Sequence, residues 1–191
     1  MRSGGLKQKL VDYIFLLTVA GIVVVLDQWS KTTVRANLDL GDIWSPWHWL
    51  IPYARILYIE NSGSAFGFFQ GMNSIFSILA VLVAIAIIYY FPQIPPEDWL
   101  IRFALCLQLG GALGNLVDRI NSGLVTDFIS VWIFPVFNIA DASISVGTAL
   151  LILGMLLKER EERQLQPSQE ENVAEQIAES TPPPSEEIQG E

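Results

Sequence analysis

The sequence has little of what most enzyme chemistry depends on. Its 191 residues include one cysteine, Cys106, and one histidine, His48. A lone cysteine excludes an internal disulfide, and the pair excludes a His/Cys zinc cluster or a redox site of several cysteines. A Ser-His-Asp triad would have only His48 to draw on, and no metal or cofactor is expected. Charge is scarce as well: Asp, Glu, Lys and Arg make up 16% of the chain, against roughly 25% in ordinary globular proteins. With a mean hydropathy of +0.40, that shortage excludes an ordinary soluble domain and indicates a membrane protein. Charge of one sign is missing from one end. After Arg163 there is no Lys or Arg, while seven of the twenty acids (Glu170, Glu171, Glu175, Glu179, Glu186, Glu187 and Glu191) lie there. The formal net charge of −9 therefore belongs mostly to residues 164–191. Their Gln, Glu and triple proline (Pro182 to Pro184) give too little apolar surface to offset ordering entropy. That segment is expected to be a disordered acidic tail, and residues 1–163 a membrane-embedded domain.

Four apolar runs approach or reach the roughly 20 residues a helix needs to cross a bilayer: Leu10 to Trp29, Asn73 to Phe91, Trp99 to Val117 and Ile139 to Leu157. The first has a basic flank like that of a signal peptide, but no clear Ala-x-Ala site follows it. Arg2, Lys7, Lys9, Arg102, Lys158, Arg160 and Arg163 fall on one side of the resulting topology, seven of the eleven basic residues. By the positive-inside rule both termini and the Pro92 to Asp98 loop are expected in the cytoplasm. The longer connections, Ser30 to Met72 and Asp118 to Asn138, then face outward. Trp44, Trp47 and Trp49 suit the headgroup level, and His48 among them is read as interfacial. Tyr53 to Ile59 reads as a strand of a small outer sheet. Cys106, inside a span, reads as core filler.

This topology gathers the polar residues at one face. Span one ends outward at Asp27 and span three at Asp118, while span four begins there with Asp141. Asp127 lies in the outer connection, and Asn61 lies before span two. Carboxylates at such depths cost several kcal/mol unless paired or used. Asp27 and Lys31 at i, i+4 can pair on one helical face. Asn115 and Asp118, at i, i+3, share a face with Arg119 beside them, and Arg119 can neutralise Asp118 or bind a lipid phosphate or a substrate carbonyl. Gly63 lets a backbone approach closely beside Asn61. Gly110, Gly111 and Gly114 suit close helix packing. Asp127 and Asp141 are the pair suited to chemistry: two close carboxyls share a proton, so one can take a proton from water while the other donates to a carbonyl oxygen. Phe128 and the run Phe134-Pro-Val-Phe137 keep their surroundings apolar.

Taken together, five blocks resemble the lipoprotein signal peptidases, the type II bacterial signal peptidases. They are Asp27-Gln-Trp-Ser-Lys31, Asn61-Ser-Gly-Ser-Ala-Phe66, Gly114-Asn-Leu-Val-Asp-Arg119, Thr126-Asp-Phe128 and Phe137-Asn-Ile-Ala-Asp141. They occur in the family's order across residues 10 to 158. The resemblance implies an α-helical membrane protein: a four-helix transmembrane bundle with a small extracytoplasmic β-sheet as substrate cradle and a short extracytoplasmic helix near Trp132. It implies an aspartyl endopeptidase of the bacterial cytoplasmic membrane, which cuts diacylglyceryl-modified prolipoproteins before the lipid-modified Cys. Asp127 and Asp141 would be the catalytic dyad. Asn61, Gly63, Asn115, Arg119 and Asn138 would line the site, supported by Asp27, Lys31 and Asp118. The expected partners are prolipoprotein substrates and membrane lipids, not nucleic acid, and the expected state is a monomer. The acidic tail departs from the shorter family pattern. A second class uses the same carboxylates differently, as a small proton-coupled transporter or lipid-binding membrane protein. It would require inner-facing acids and access from both sides, whereas the polar groups are read as gathering near the outer face and residues 61 to 96, which include span two, carry no charge.

Overall fold

The structure is a computed structural model, and it describes residues 5–62 and 73–180, with side chains as far as 164. Two units divide the chain, residues 1–152 and 153–191. In chain order the elements are α1 (Leu6–Asn37), β1 (Ile43–Trp44), β2 (Ala54–Asn61), α2 (Asn73–Tyr90), α3 (Trp99–Asn121), β3 (Val125–Val131) and α4 (Ile139–Ser180). Short 3-10 turns follow β1 at His48–Leu50 and α2 at Phe91–Gln93. Among the described residues four helices are long and apolar enough to cross a membrane.

The helices of the first unit are apolar outside and partly polar inside. On α1 the buried positions Asp12, Leu16, Ala20, Val23, Asp27, Lys31 and Val34 recur every three or four residues and form one stripe. Ile14, Leu17, Ile22 and Val25 lie off that stripe and are exposed, as a lipid-facing surface requires. α3 is the most buried span, and its glycines are the reason. A Cβ on Gly110 would meet Val23 Cβ at 2.6 Å, and one on Gly111 would meet the carbonyl oxygen of Ala140 at 2.5 Å. Leu16, Ala20, Ala84, Ile87, Phe91, Cys106 and Leu109 form the core shared by α1, α2 and α3.

Three antiparallel strands stand in the order β1-β2-β3. Ile59 pairs with Asp127 and Asn61 with Val125, after an irregularity between Ile56 and Ile59. Val34 of α1, Tyr58 of β2 and Phe128 of β3 pack together and fix the sheet to the C-terminal end of α1. The chain leaves β3 through Trp132, which has a positive φ of 46°, and returns as Phe137 bridges Ile129.

Two expectations are corrected. Trp132 sits in a turn, and among the described residues the short helical segment between α1 and α2 is the 3-10 turn at His48–Leu50. The region expected to be disordered from Gln164 is helical as far as Ser180. Its Glu, Gln and Ala residues are good helix formers; residues 181–191 lie outside the described residues.

Candidate active site

Five secondary-structure elements, α1, β2, α3, β3 and α4, and the residue that caps α4 bring the candidate residues together. Lys31 is fully buried and has three acceptors: Asp27 Oδ2 at 2.8 Å, Asp118 Oδ2 at 2.9 Å and Asn115 Oδ1 at 2.9 Å. The expected i, i+4 pair of Asp27 and Lys31 is thus present, and Asp118 joins it from α3. Arg35, one turn beyond Lys31, lies 3.6 Å from Asp118 Oδ1. Asp27 Oδ1 accepts the backbone N–H of Ala140 at 2.9 Å, so a side chain of α1 satisfies one of the orphan donors at the start of α4.

α4 begins with a reciprocal cap. Asn138 Oδ1 accepts the Asp141 N–H at 2.9 Å, and Asp141 Oδ2 accepts the Asn138 N–H at 3.2 Å, the arrangement of a capping box. The Asn138 amide also reaches β3, donating to Asp127 Oδ1 at 2.6 Å and to Asn115 Oδ1 at 3.1 Å. Asn115 Nδ2 donates to Asp141 Oδ1 at 2.7 Å. From β2, Asn61 Nδ2 donates to Asp127 Oδ2 at 2.9 Å, because Asn61 lies two residues beyond the partner of Asp127 and shares its face of the sheet. A ladder of asparagines therefore joins the two carboxyls. Asp127 is 1% exposed. Burial pushes its carboxyl up, the N–H groups of Asn61 and Asn138 work against that, and the neighbouring Asp141 charge adds to it, leaving a pKa of about 6.

Arg119 lies within range of the charges of Asp141, Asp127 and Asp118. Its guanidinium lies 5.7 Å from the centre of the Phe76 ring, and its buried Nε has no hydrogen-bond partner among the described residues. The cations paired with Asp118 are Lys31 and Arg35, not its neighbour Arg119. Gly63 lies outside the described residues. Sequence reasoning missed Gln28, whose Nε2 donates to Asp27 Oδ2, the Gly114 carbonyl and Asp118 Oδ1. It also missed Thr126, whose N–H donates to Asp118 Oδ2 and whose hydroxyl accepts from Arg35. Gln28 stands next to Asp27 inside a quoted block, and Arg35 is four residues from Lys31; those were the available signals.

The family model for signal peptidase (SPase) II matches residues 19–157, a stretch that contains every one of these groups. The chain belongs to the signal peptidase II family. Among its relatives, the lipoprotein signal peptidase of Halalkalibacterium halodurans is 38% identical over 150 residues, covering 74% of this chain and 92% of its own length. That of Desulfitobacterium hafniense is 41% identical over 145 residues, covering 75% of this chain and 93% of its own. A bacterial membrane enzyme structure determined by the in meso method at 2.3 Å resolution superposes with a TM-score of 0.70 at 31% identity, over 76% of this chain and 89% of that one. As a signal peptidase II this chain is a protease and a multi-pass bacterial membrane protein, and its small antiparallel sheet and four spans are the family's fold.

Proposed function

We propose that this protein removes the signal peptide from diacylglyceryl-modified prolipoproteins by an aspartyl mechanism, with Asp127 and Asp141 as the catalytic dyad. The observation that carries the reading is the asparagine ladder, in which Asn138 bonds both carboxyls directly and Asn115 braces Asp141 against Lys31. One carboxylate takes a proton from water as the water oxygen bonds to the scissile carbonyl carbon, while the other carboxyl gives its proton to the carbonyl oxygen. The gem-diol then collapses. The first carboxyl protonates the amine as the C–N bond breaks, the second recovers a proton from the diol, and the dyad is restored. No covalent intermediate forms.

The site lies at the outer ends of α1 and α3 and the start of α4, which by the distribution of Lys and Arg is the extracytoplasmic side. A substrate whose acyl chains stay in the bilayer can bring its modified Cys to that depth. Asn61 and Arg119 line the approach, and Gly63 belongs to the same segment as Asn61. The test is cleavage of a diacylglyceryl-prolipoprotein by purified protein in the presence of EDTA. Asp127→Asn and Asp141→Asn are each expected to lose at least about a thousandfold in rate while still inserting in the membrane. Full activity in either variant overturns the dyad.

A further inference from the structure

The two carboxyls are held differently. Asp141 stands in the first turn of α4, where the helix N-terminus favours an anion. Its Oδ2 accepts a backbone N–H, which can only donate. Its Oδ1 accepts the Asn115 amide, whose own oxygen is taken by the Lys31 ammonium, again a group that can only donate. The polarity of this arm cannot reverse, so both oxygens of Asp141 face donors. Asp127 stands on a strand, away from any helix end; its Oδ1 accepts the Asn138 amide, which the Asp141 N–H holds in place, while its Oδ2 meets only the side-chain amide of Asn61, a group that carries an acceptor as well as a donor.

We propose that the pair divides its work: Asp141 is the carboxylate that takes the proton from water, and Asp127 carries the pair's proton at rest and gives it to the scissile carbonyl oxygen. This rests on the dyad reading above and assigns its two roles. Lys31 and Asn138 are then positioning residues, which keep N–H groups turned toward Asp141 through Asn115 and through the cap. The charges facing the pair are Asp27 and Lys31 on α1 and Asp118 and Arg119 on α3; Arg35 is engaged with Asp118 and Thr126, and Glu60 on β2 accepts the Tyr58 hydroxyl. Burial of Asp127 agrees with the assignment, since it favours the neutral form. After one turnover the proton taken by Asp141 has gone to the amine and Asp127 has recovered its own, so the same resting state returns.

Asn61→Ala decides the roles, because Asn61 donates to Asp127 and its loss strengthens proton binding there. In the pH profile of kcat/KM, the basic limb is expected to move up by about one pH unit, a tenfold change in rate along that limb, with the acid limb fixed. Movement of the acid limb instead, or of neither limb, overturns the assignment. An independent measurement needs no folded Asn61 variant. Infrared difference spectra of protein carrying 13C-carboxyl aspartate should contain a protonated-carboxyl band that titrates near pH 6, is retained in Asp141→Asn and is lost in Asp127→Asn. The converse pattern, or no such band, overturns the assignment. Full cleavage by either Asp variant would instead overturn the dyad itself, so the two failures are distinct.

Discussion

An ammonium group has three protons to donate, and Lys31 uses all three on buried acceptors, two of which are carboxylates. Removing it leaves Asp27 and Asp118 buried without their central cation. Lys31→Met is therefore expected to lose about 3–5 kcal/mol of stability, the range for breaking a buried ion pair from one side. Adding Asp27→Asn and Asp118→Asn should recover much of that loss, as read by thermal unfolding in detergent. Asp127 makes the opposite prediction. Its folded pKa is raised from 3.8 to about 6, so the folded state holds the proton to higher pH than the unfolded state does. Stability from this group is thus present below pH 4 and lost as pH rises through about 6, by at most about 3 kcal/mol. Asp127→Asn should lack cleavage yet melt higher than the native protein at pH 8, with the gap closing by pH 4. The surplus N–H of the new amide beside Asn61 and Asn138 offsets part of the gain. An equal gap at both pH values would sink the account. The Asp27–Lys31 pair was legible from spacing within one helix. The bonds from Lys31 to Asp118 and Asn115 were not, because they cross more than eighty residues of sequence and depend on how α1 meets α3.

At the scale of elements, the site depends on how closely α3 approaches α4. A Cβ on Gly111 would lie 2.5 Å from the Ala140 carbonyl oxygen and 2.7 Å from Ile144 Cγ1. Backbone cannot yield as a side chain can, so Gly111→Ala must displace the start of α4. That start carries Asn138 and Asp141. Gly111→Ala is expected to lower the cleavage rate at least tenfold while the protein still inserts, since small misplacements of catalytic groups carry large rate costs. Gly21→Ala is the control: nothing lies within 4 Å of its added Cβ, and activity should be unchanged. Equal rates in the two variants would remove close packing as the reason for the glycines. Composition revealed the four spans and the small-residue face of α3, because lipid exposure demands long apolar runs. It did not reveal the full reach of α1, whose last turns are polar enough to fall outside an apolar run yet bury Val34 against Tyr58 and Phe128. The capping box was present in the sequence as Asn138 three residues before Asp141. It was read as two site residues and not as one cap, because its reciprocal bonds exist only once the helix has begun.

For the molecule as a whole, the few charges inside the first unit stand at two levels. One is the outer cluster around Lys31. The other is a buried pair that sequence reasoning passed over: Arg102 Nη2 lies 2.6 Å from Asp12 Oδ1, Nη1 donates to the Ile94 carbonyl, and the guanidinium lies 4.7 Å from the centre of the Phe91 ring. Asp12 and Asp27 are fifteen residues apart on α1, about 22 Å at the rise of an α-helix, or about three-quarters of the roughly 30 Å apolar core of a bilayer. On a helix that spans the bilayer the two polar levels fall toward opposite faces, and the distribution of basic residues is the guide to which face is which. Arg102 belongs with Arg2, Lys7, Lys9, Lys158, Arg160 and Arg163, so the proposed orientation makes the Asp12 level cytoplasmic and the Asp127 and Asp141 level external, which a fusion experiment tests. A phosphatase that works only in the oxidising exterior should be inactive when fused after Glu191 and active when inserted at Asp39 to Gly41, between α1 and β1. Fusion of a reporter that fluoresces only in the cytoplasm should give the reverse. An active external fusion at Glu191 would invert the membrane and put the dyad on the cytoplasmic side, where a translocated prolipoprotein could not present its modified Cys.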